Sequence, residues 1–372
     1  MFTAVHLIPT GVGAAIGGFA GDGGPATKLL ASVVDCLVTH PNAVNGAQLL
    51  ALPANALYLE GAALDSWLAG RRALRPVKSR RIGLLIDRAV EHMPAGSLDV
   101  LIHAVDAVRS VHGVPILGWE LTPRPLGART SVATSGLSEG SLQDPDALLD
   151  GARALMASGA EAIAVVADLG PLDPTAAEAY DQGQGVDPIG GLEAIISHLL
   201  VETLGVPAAH APLWPYAPSL PVAVDPRAAA EHLGHTFLPC ILMGLAKHPE
   251  LLAPEAPPRP GDLGPAAADA IVLPQGCLGG PGALAGLDRG IPLVVVEENT
   301  TLLEVTPARL GLGPAEGVWP VRSYWEAAGL LAAWRLGLDA RTARRPMPAL
   351  QRLSPPLHRP TPCAMSQSIC DD

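Results

Sequence analysis

Short apolar runs alternate along the chain with longer stretches of helical period. The runs AVHLIP (4–9), CLVTHP (36–41), RIGLLID (81–87), GVPILGW (113–119), EAIAVVAD (161–168), AIVLP (270–274) and IPLVVVEE (291–298) are mostly apolar throughout rather than at every second position. A strand of this kind is covered on both faces, as in a parallel sheet packed between helices. Helical candidates lie between them at 97–113, 146–160, 190–205, 226–248 and 323–338, and an earlier helix is expected to end near Val34. Several stop on Gly directly before the next apolar run, and Gly most easily takes the left-handed turn at a helix C-terminus. The alternation predicts an α/β fold with mostly parallel sheets and helices on both faces, Rossmann-like and two-lobed. The expected lobes are 1–121 and 146–340. A Pro-, Ser-, Thr- and Gly-rich linker or lid at 122–145 joins them, and a disordered tail follows at 341–372.

Composition narrows the function classes. The chain has 372 residues, 49% of them hydrophobic and only 3% aromatic, so its core must be built from Ala, Val, Leu and Ile. A net charge of −12, from 24 basic and 36 acidic residues, argues against nucleic-acid binding, which needs a basic face to neutralise phosphates. One basic cluster, RRALRPVKSRR at 71–81, reads as a solvated connection or as a patch for an acidic partner. The cysteines Cys36, Cys240, Cys277, Cys363 and Cys370 are odd in number and lack metal-type spacing. They imply a reducing compartment with neither a disulfide framework nor a metal site. Pro9 and a series of glycines break the apolar start, so neither a signal peptide nor a membrane span is expected, and the localisation read from this is cytoplasmic.

Polar groups gather where the predicted strands end, the edge at which open α/β sheets bind ligands. Gly11, Gly13 and Gly17 lie between a strand and a helix, where backbone N–H groups can cradle an anion or simply allow close packing. Their spacing is G-x-G-x-x-x-G rather than the dinucleotide fingerprint, and LVTHPN stands where a ribose-binding acid would be. In THPNAVNGAQ, His40 is a candidate acid/base, while Asn42 and Asn45 either orient a ligand or hold the turn. In QGCLGGPG, Cys277 stands just before a helix N-terminus that could lower its pKa, with Gly279 and Gly280 beside it; an inert filler is the alternative. Glu297, Glu298 and Asn299 close the next strand, Asp187 precedes a helix as cap or ligand group, and His210 marks another strand end.

Together these residues suggest an enzyme acting on a small anionic or phosphorylated metabolite. His40, Cys277 and Glu297 are its catalytic candidates, and Gly11, Gly13, Gly17, Asn42, Asn45, Asp187, His210, Gly279, Gly280, Glu298 and Asn299 its binding candidates. Cofactor and metal use are unassigned, and a homo-oligomer is compatible with the reading. A non-catalytic ligand-binding or assembly protein is the alternative.

The set IPTGVGAAIGGFAGD, THPNAVNGA, GVDPIGG and LPQGCLGGPGALAGLDRGIPLVVVEENTTLLEVTP resembles a domain-of-unknown-function family of cyanobacteria and related photosynthetic lineages. The likeness runs to about residue 340 and implies a photosynthetic setting, hence an assembly role there as the alternative function, but no reaction. Locally, GGPGALAGLDRGIPLVVVEENTT is similar to the donor lobe of two-lobed glycosyltransferases and sugar-nucleotide epimerases. Gly279 and Gly280 match the glycine pair, and Gly290 and Pro292 match the step into the strand. That resemblance implies a transferase or isomerase, although PGALAGLDRG lacks the helix Glu that binds ribose in those enzymes. Cys277 also suits one of the two strand-end cysteines of aspartate/glutamate-type racemases; neither Cys36 nor Cys240 supplies the other.

Overall fold

The computed structural model describes residues 1–19, 21–44, 52–213, 225, 227, 237–343, 345–347 and 349–350. Asn45 and most of the tail at 341–372 therefore lie outside the described residues. Six parallel strands form the first sheet, in the spatial order Val318–Val321, Leu293–Val296, Ala270–Pro274, Thr3–His6, Cys36–Thr39 and Ala56–Tyr58. Numbered along the chain this is the Rossmann order, with its switch point between Thr3–His6 and Ala270–Pro274.

Between the third and fourth of these strands the chain builds a second parallel sheet, ordered Ala208–Pro212, Ala162–Ala167, Ile82–Ile86 and Ile116–Leu121. The first sheet thus joins both ends of the described chain, pairing Ala4 with Ala270. Where the chain enters and leaves the second lobe, Ala73–Arg75 and Glu250–Leu252 pair antiparallel. Residues 122–145 contain the hairpin Arg129–Val132 with Ser138–Ser141, which docks on the loop after Thr3–His6 through the Ser138 N–H donating to the Gly11 carbonyl at 3.1 Å.

Alternate strand residues point to opposite faces, and each face finds helices. Val5, Ile271 and Val295 of the first sheet share one central core with Leu85, Ile163 and Val165 of the second. Within that core lie buried residues of Gly61–Leu68, Pro145–Ala157, Gly190–Leu204 and Pro281–Asp288. Ala4, Val272 and Val294 face outward onto the helices Gly24–Ala31 and Tyr324–Arg335. The second sheet's outer residues Leu84, Ala164 and Val166 lie under Ser97–His112 and Phe237–Lys247. The run GVPILGW departs from the pattern: it supplies an edge strand on which Leu117 and Trp119 remain 46% and 44% exposed. Three of the six basic residues at 71–81 form ion pairs within the chain, Arg71 to Glu202, Arg75 to Asp262 and Arg81 to Glu161.

Candidate functional site

A cavity of roughly 340 Å³ opens at the carboxyl edge of the first sheet, beside the second lobe. The elements of the first sheet contribute Leu7, Pro9 and Thr10 after one strand, His40 to Asn42 after the next, Tyr58, Glu60 and Gly61 at the end of the third, and Gly280 to Gly282. The second lobe contributes Asp187, Glu193, Ser197 and His198 on or before the helix Gly190–Leu204, with His210 and Phe237.

The first wall is clamped by its own polar residues. The Ile8 N–H donates to His40 Nε2 at 2.9 Å, which leaves the imidazole proton on Nδ1. Burial, with a smaller effect from His198, holds His40 down at about 4, so it is neutral. Asn42 Nδ2 donates to the carbonyls of Ile8 and Pro9 at 2.9 and 3.0 Å, fixing the loop that follows the first strand.

On the second wall, Glu60 caps the helix Gly61–Leu68, its carboxylate accepting from the N–H groups of Ala62 and Ala63. Burial nevertheless pushes Glu60 up to about 7, against the opposing pull of Ser197 and the two N–H groups. Burial likewise raises Asp65 to about 6. The Glu60 N–H donates to His248 Nε2 at 3.1 Å, while His248 Nδ1 donates to the Pro249 carbonyl at 2.8 Å. This histidine is a structural bolt.

The third wall differs in having groups left over. His210 is 8% exposed and stands on the inner face of Ala208–Pro212, its Nδ1 lying 3.1 Å from Glu193 Oε1. Its Nε2 is buried without a hydrogen-bond partner among the described residues. Asp187 Oδ1 accepts from the N–H groups of Ile189 and Gly190 at 2.9 and 3.2 Å. Burial, and then the neighbouring Glu193 carboxylate, push Asp187 well above the ordinary carboxylate range. A buried imidazole held at Nδ1 by a carboxylate presents its Nε2 lone pair as a base, and a protonated carboxyl nearby is an acid.

The cavity therefore brings together His40, Asn42, Asp187, His210 and Gly280 from the residues named by the sequence. Gly11, Gly13, Gly17, Cys277, Gly279, Glu297, Glu298 and Asn299 lie elsewhere, around the glycine loops. There Gly17 has φ +82°, and a Cβ on it would come 2.3 Å from Ile8 Cδ1. Cys277 is buried with Sγ 3.8 Å from Thr301 Oγ1, and burial pushes its thiol up to about 11 despite that hydroxyl. Glu297 is exposed, and Glu298 accepts from the Tyr324 N–H at 2.8 Å. Glu60, Asp65, Glu193 and His198 line the cavity without having stood out in the sequence. The only local signal was YLEGAALD, a Glu at the start of a helix; Glu193 and His210 meet only once the helix packs on its strand.

Fold and cavity together define a Rossmann-like, two-sheet α/β protein with a polar chamber at its strand ends. The chain belongs to the family DUF3326, described as a protein of unknown function, which it matches over residues 3–344. An uncharacterized lipoprotein of Synechococcus sp. is 43% identical over 341 residues, covering 91% of this chain and 92% of that protein. No solved structure matches the chain. Among the described residues no helix is long and apolar enough to cross a membrane.

Proposed function

We propose that this chain is a small-molecule enzyme, a transferase or isomerase, that moves a proton within the strand-end cavity. The observation that carries the reading is the Glu193–His210 pair: both residues line the cavity, and the buried His210 Nε2 has no partner among the described residues. In this reading Glu193 holds the Nδ1 proton, His210 Nε2 accepts a proton from the guest, and Asp187 returns one. His40 and Asn42 position the opposite wall. The described lining carries the carboxyls of Glu60, Asp65, Asp187 and Glu193 and neither Lys nor Arg. That wall favours a neutral or cationic guest over the anionic or phosphorylated one that the glycine loops suggest.

The assembly reading would use the basic cluster at 71–81 as a docking patch, and three of its arginines are already paired internally. The relative's lipoprotein name has no counterpart at Cys36, which is buried in the strand Cys36–Thr39, where an acyl chain would have to displace core residues. The test is incubation of the purified protein with a small-molecule extract in D2O, read by mass spectrometry. The wild type should change one species or load it with deuterium. His210→Gln should slow that by about 100-fold or more while its melting temperature stays near wild type. Identical extracts from both proteins would sink the proposal.

A further inference from the structure

We infer that the cavity takes a small organic cation, a protonated amine on an apolar body. This rests on the cavity being the ligand site, as proposed above, and adds the chemical class of the ligand.

The inference comes from which hydrogen-bonding groups are left over. Asp187 uses Oδ1 on two backbone N–H groups, and Oδ2 has no hydrogen bond among the described residues. Glu193 uses Oε1 on His210 Nδ1, which makes Nε2 of that ring an acceptor, buried and without a partner among the described residues. His210 Nε2 accepts, and Asp187 Oδ2 accepts once its proton has passed to the guest, so the bound ligand must donate. An ammonium has three N–H donors and no acceptor, whereas a phosphate or carboxylate offers only acceptors and would face two carboxyls with nothing to compensate them.

Charge points the same way. Among the described residues neither Lys nor Arg lines the cavity. A chain of net charge −12 also draws cations toward such a cleft. Among the described residues no three or more His, Cys, Asp or Glu side chains are grouped so as to hold a metal ion. Leu7 and Phe237 supply apolar wall for its body, and roughly 340 Å³ is at the small end of ligand sites.

The test compares three probes of one chain length by NMR titration of the whole protein at neutral pH: n-butylamine, n-butanol and butanoate. The amine should bind about tenfold tighter than the alcohol, and butanoate more weakly than either. Asp187→Asn keeps the helix cap and should cost the amine about tenfold or more while leaving butanol unchanged. Glu193→Gln, at a partly exposed position, should show the same split if the first variant folds poorly. Equal binding of the three probes, tightest binding of butanoate, or an amine affinity indifferent to both variants would overturn the cation assignment. Each of those results leaves the catalytic reading standing if His210→Gln still abolishes turnover. Selective amine binding without turnover would keep the cation site and end the catalytic one.

Discussion

The carboxyl edge of the first sheet carries two polar clusters built from the same residue types. In one, around the glycine loops, Asn299 Nδ2 donates to Tyr324 Oη at 2.8 Å, and that hydroxyl lies 3.2 Å from His6 Nε2. His6 Nδ1 then meets Thr27 Oγ1 at 2.9 Å, and Thr27 donates on to the Gly23 carbonyl at 3.0 Å. Each donor in the chain has an acceptor. His6 stays neutral, held at about 3 first by burial and then by His40. Asn299 also exchanges hydrogen bonds with the backbone of Ile16, while Ala15 and Leu302 stitch the two loops together.

The other cluster ends in His210 Nε2 and Asp187 Oδ2, neither with a hydrogen-bond partner among the described residues. A closed network stabilises a fold, whereas an open one keeps a desolvation cost that a ligand can relieve. Polar residues at a strand end are therefore not in themselves a site, and satisfaction of their hydrogen bonds separates the two cases.

The sharpest way to break this contrast is in the closed cluster. A Cβ on Gly276 would sit 1.9 Å from the Leu303 carbonyl oxygen, a backbone atom that cannot step aside. Gly276→Ala should cost about 4 kcal/mol or more, seen as loss of the cooperative melting transition. Tyr324→Phe should cost about 2 kcal/mol by denaturant titration, since it leaves His6 and Asn299 buried and short of a partner. It should not alter amine binding.

On the open side, Glu60 titrates near 7 in the fold, above its unfolded range. Between those values the folded state holds a proton that the unfolded chain has released, so this group removes stability as pH rises through that window. The neutral histidines His6, His40 and His248 act in the opposite sense below their unfolded range, so the variant must be compared with the wild type. Glu60→Gln should be more stable relative to wild type at pH 8 than at pH 5, by on the order of 2 kcal/mol in calorimetry. The smallest effect is expected at Cys277. Replacement by Ala should cost about 1 kcal/mol and leave amine binding unchanged, and iodoacetamide should label the native thiol only slowly.

Much of the fold was legible. The runs AIVLP and IPLVVVEE became adjacent parallel strands, and the helical stretch at 190–205 became Gly190–Leu204, because burial on two faces leaves its mark on a short segment. GVPILGW reads like a covered strand and is an exposed edge, since its neighbours in space are not written in its own residues. The site was legible only in part. His40, Asn42, Asp187 and His210 are strand-end or helix-start residues that local signals can flag. Glu60 shows only as a Glu at the start of a helix, and Glu193 and His198 look like ordinary helix residues until the two sheets are packed.

The amino-acid sequence by itself determined the α/β class, the parallel strands and the acidic, Ala-, Val- and Leu-rich character of the chain, all of which depend on composition and short-range period. Tertiary structure decided that residues 3–58 and 270–321 share one sheet, with a second parallel sheet built between them. It also decided which polar groups found partners. Tyr324 reaches His6 across 318 residues of sequence, while His210 Nε2 has no partner among the described residues, and hydrogen-bond satisfaction depends on geometry between elements that no local pattern encodes.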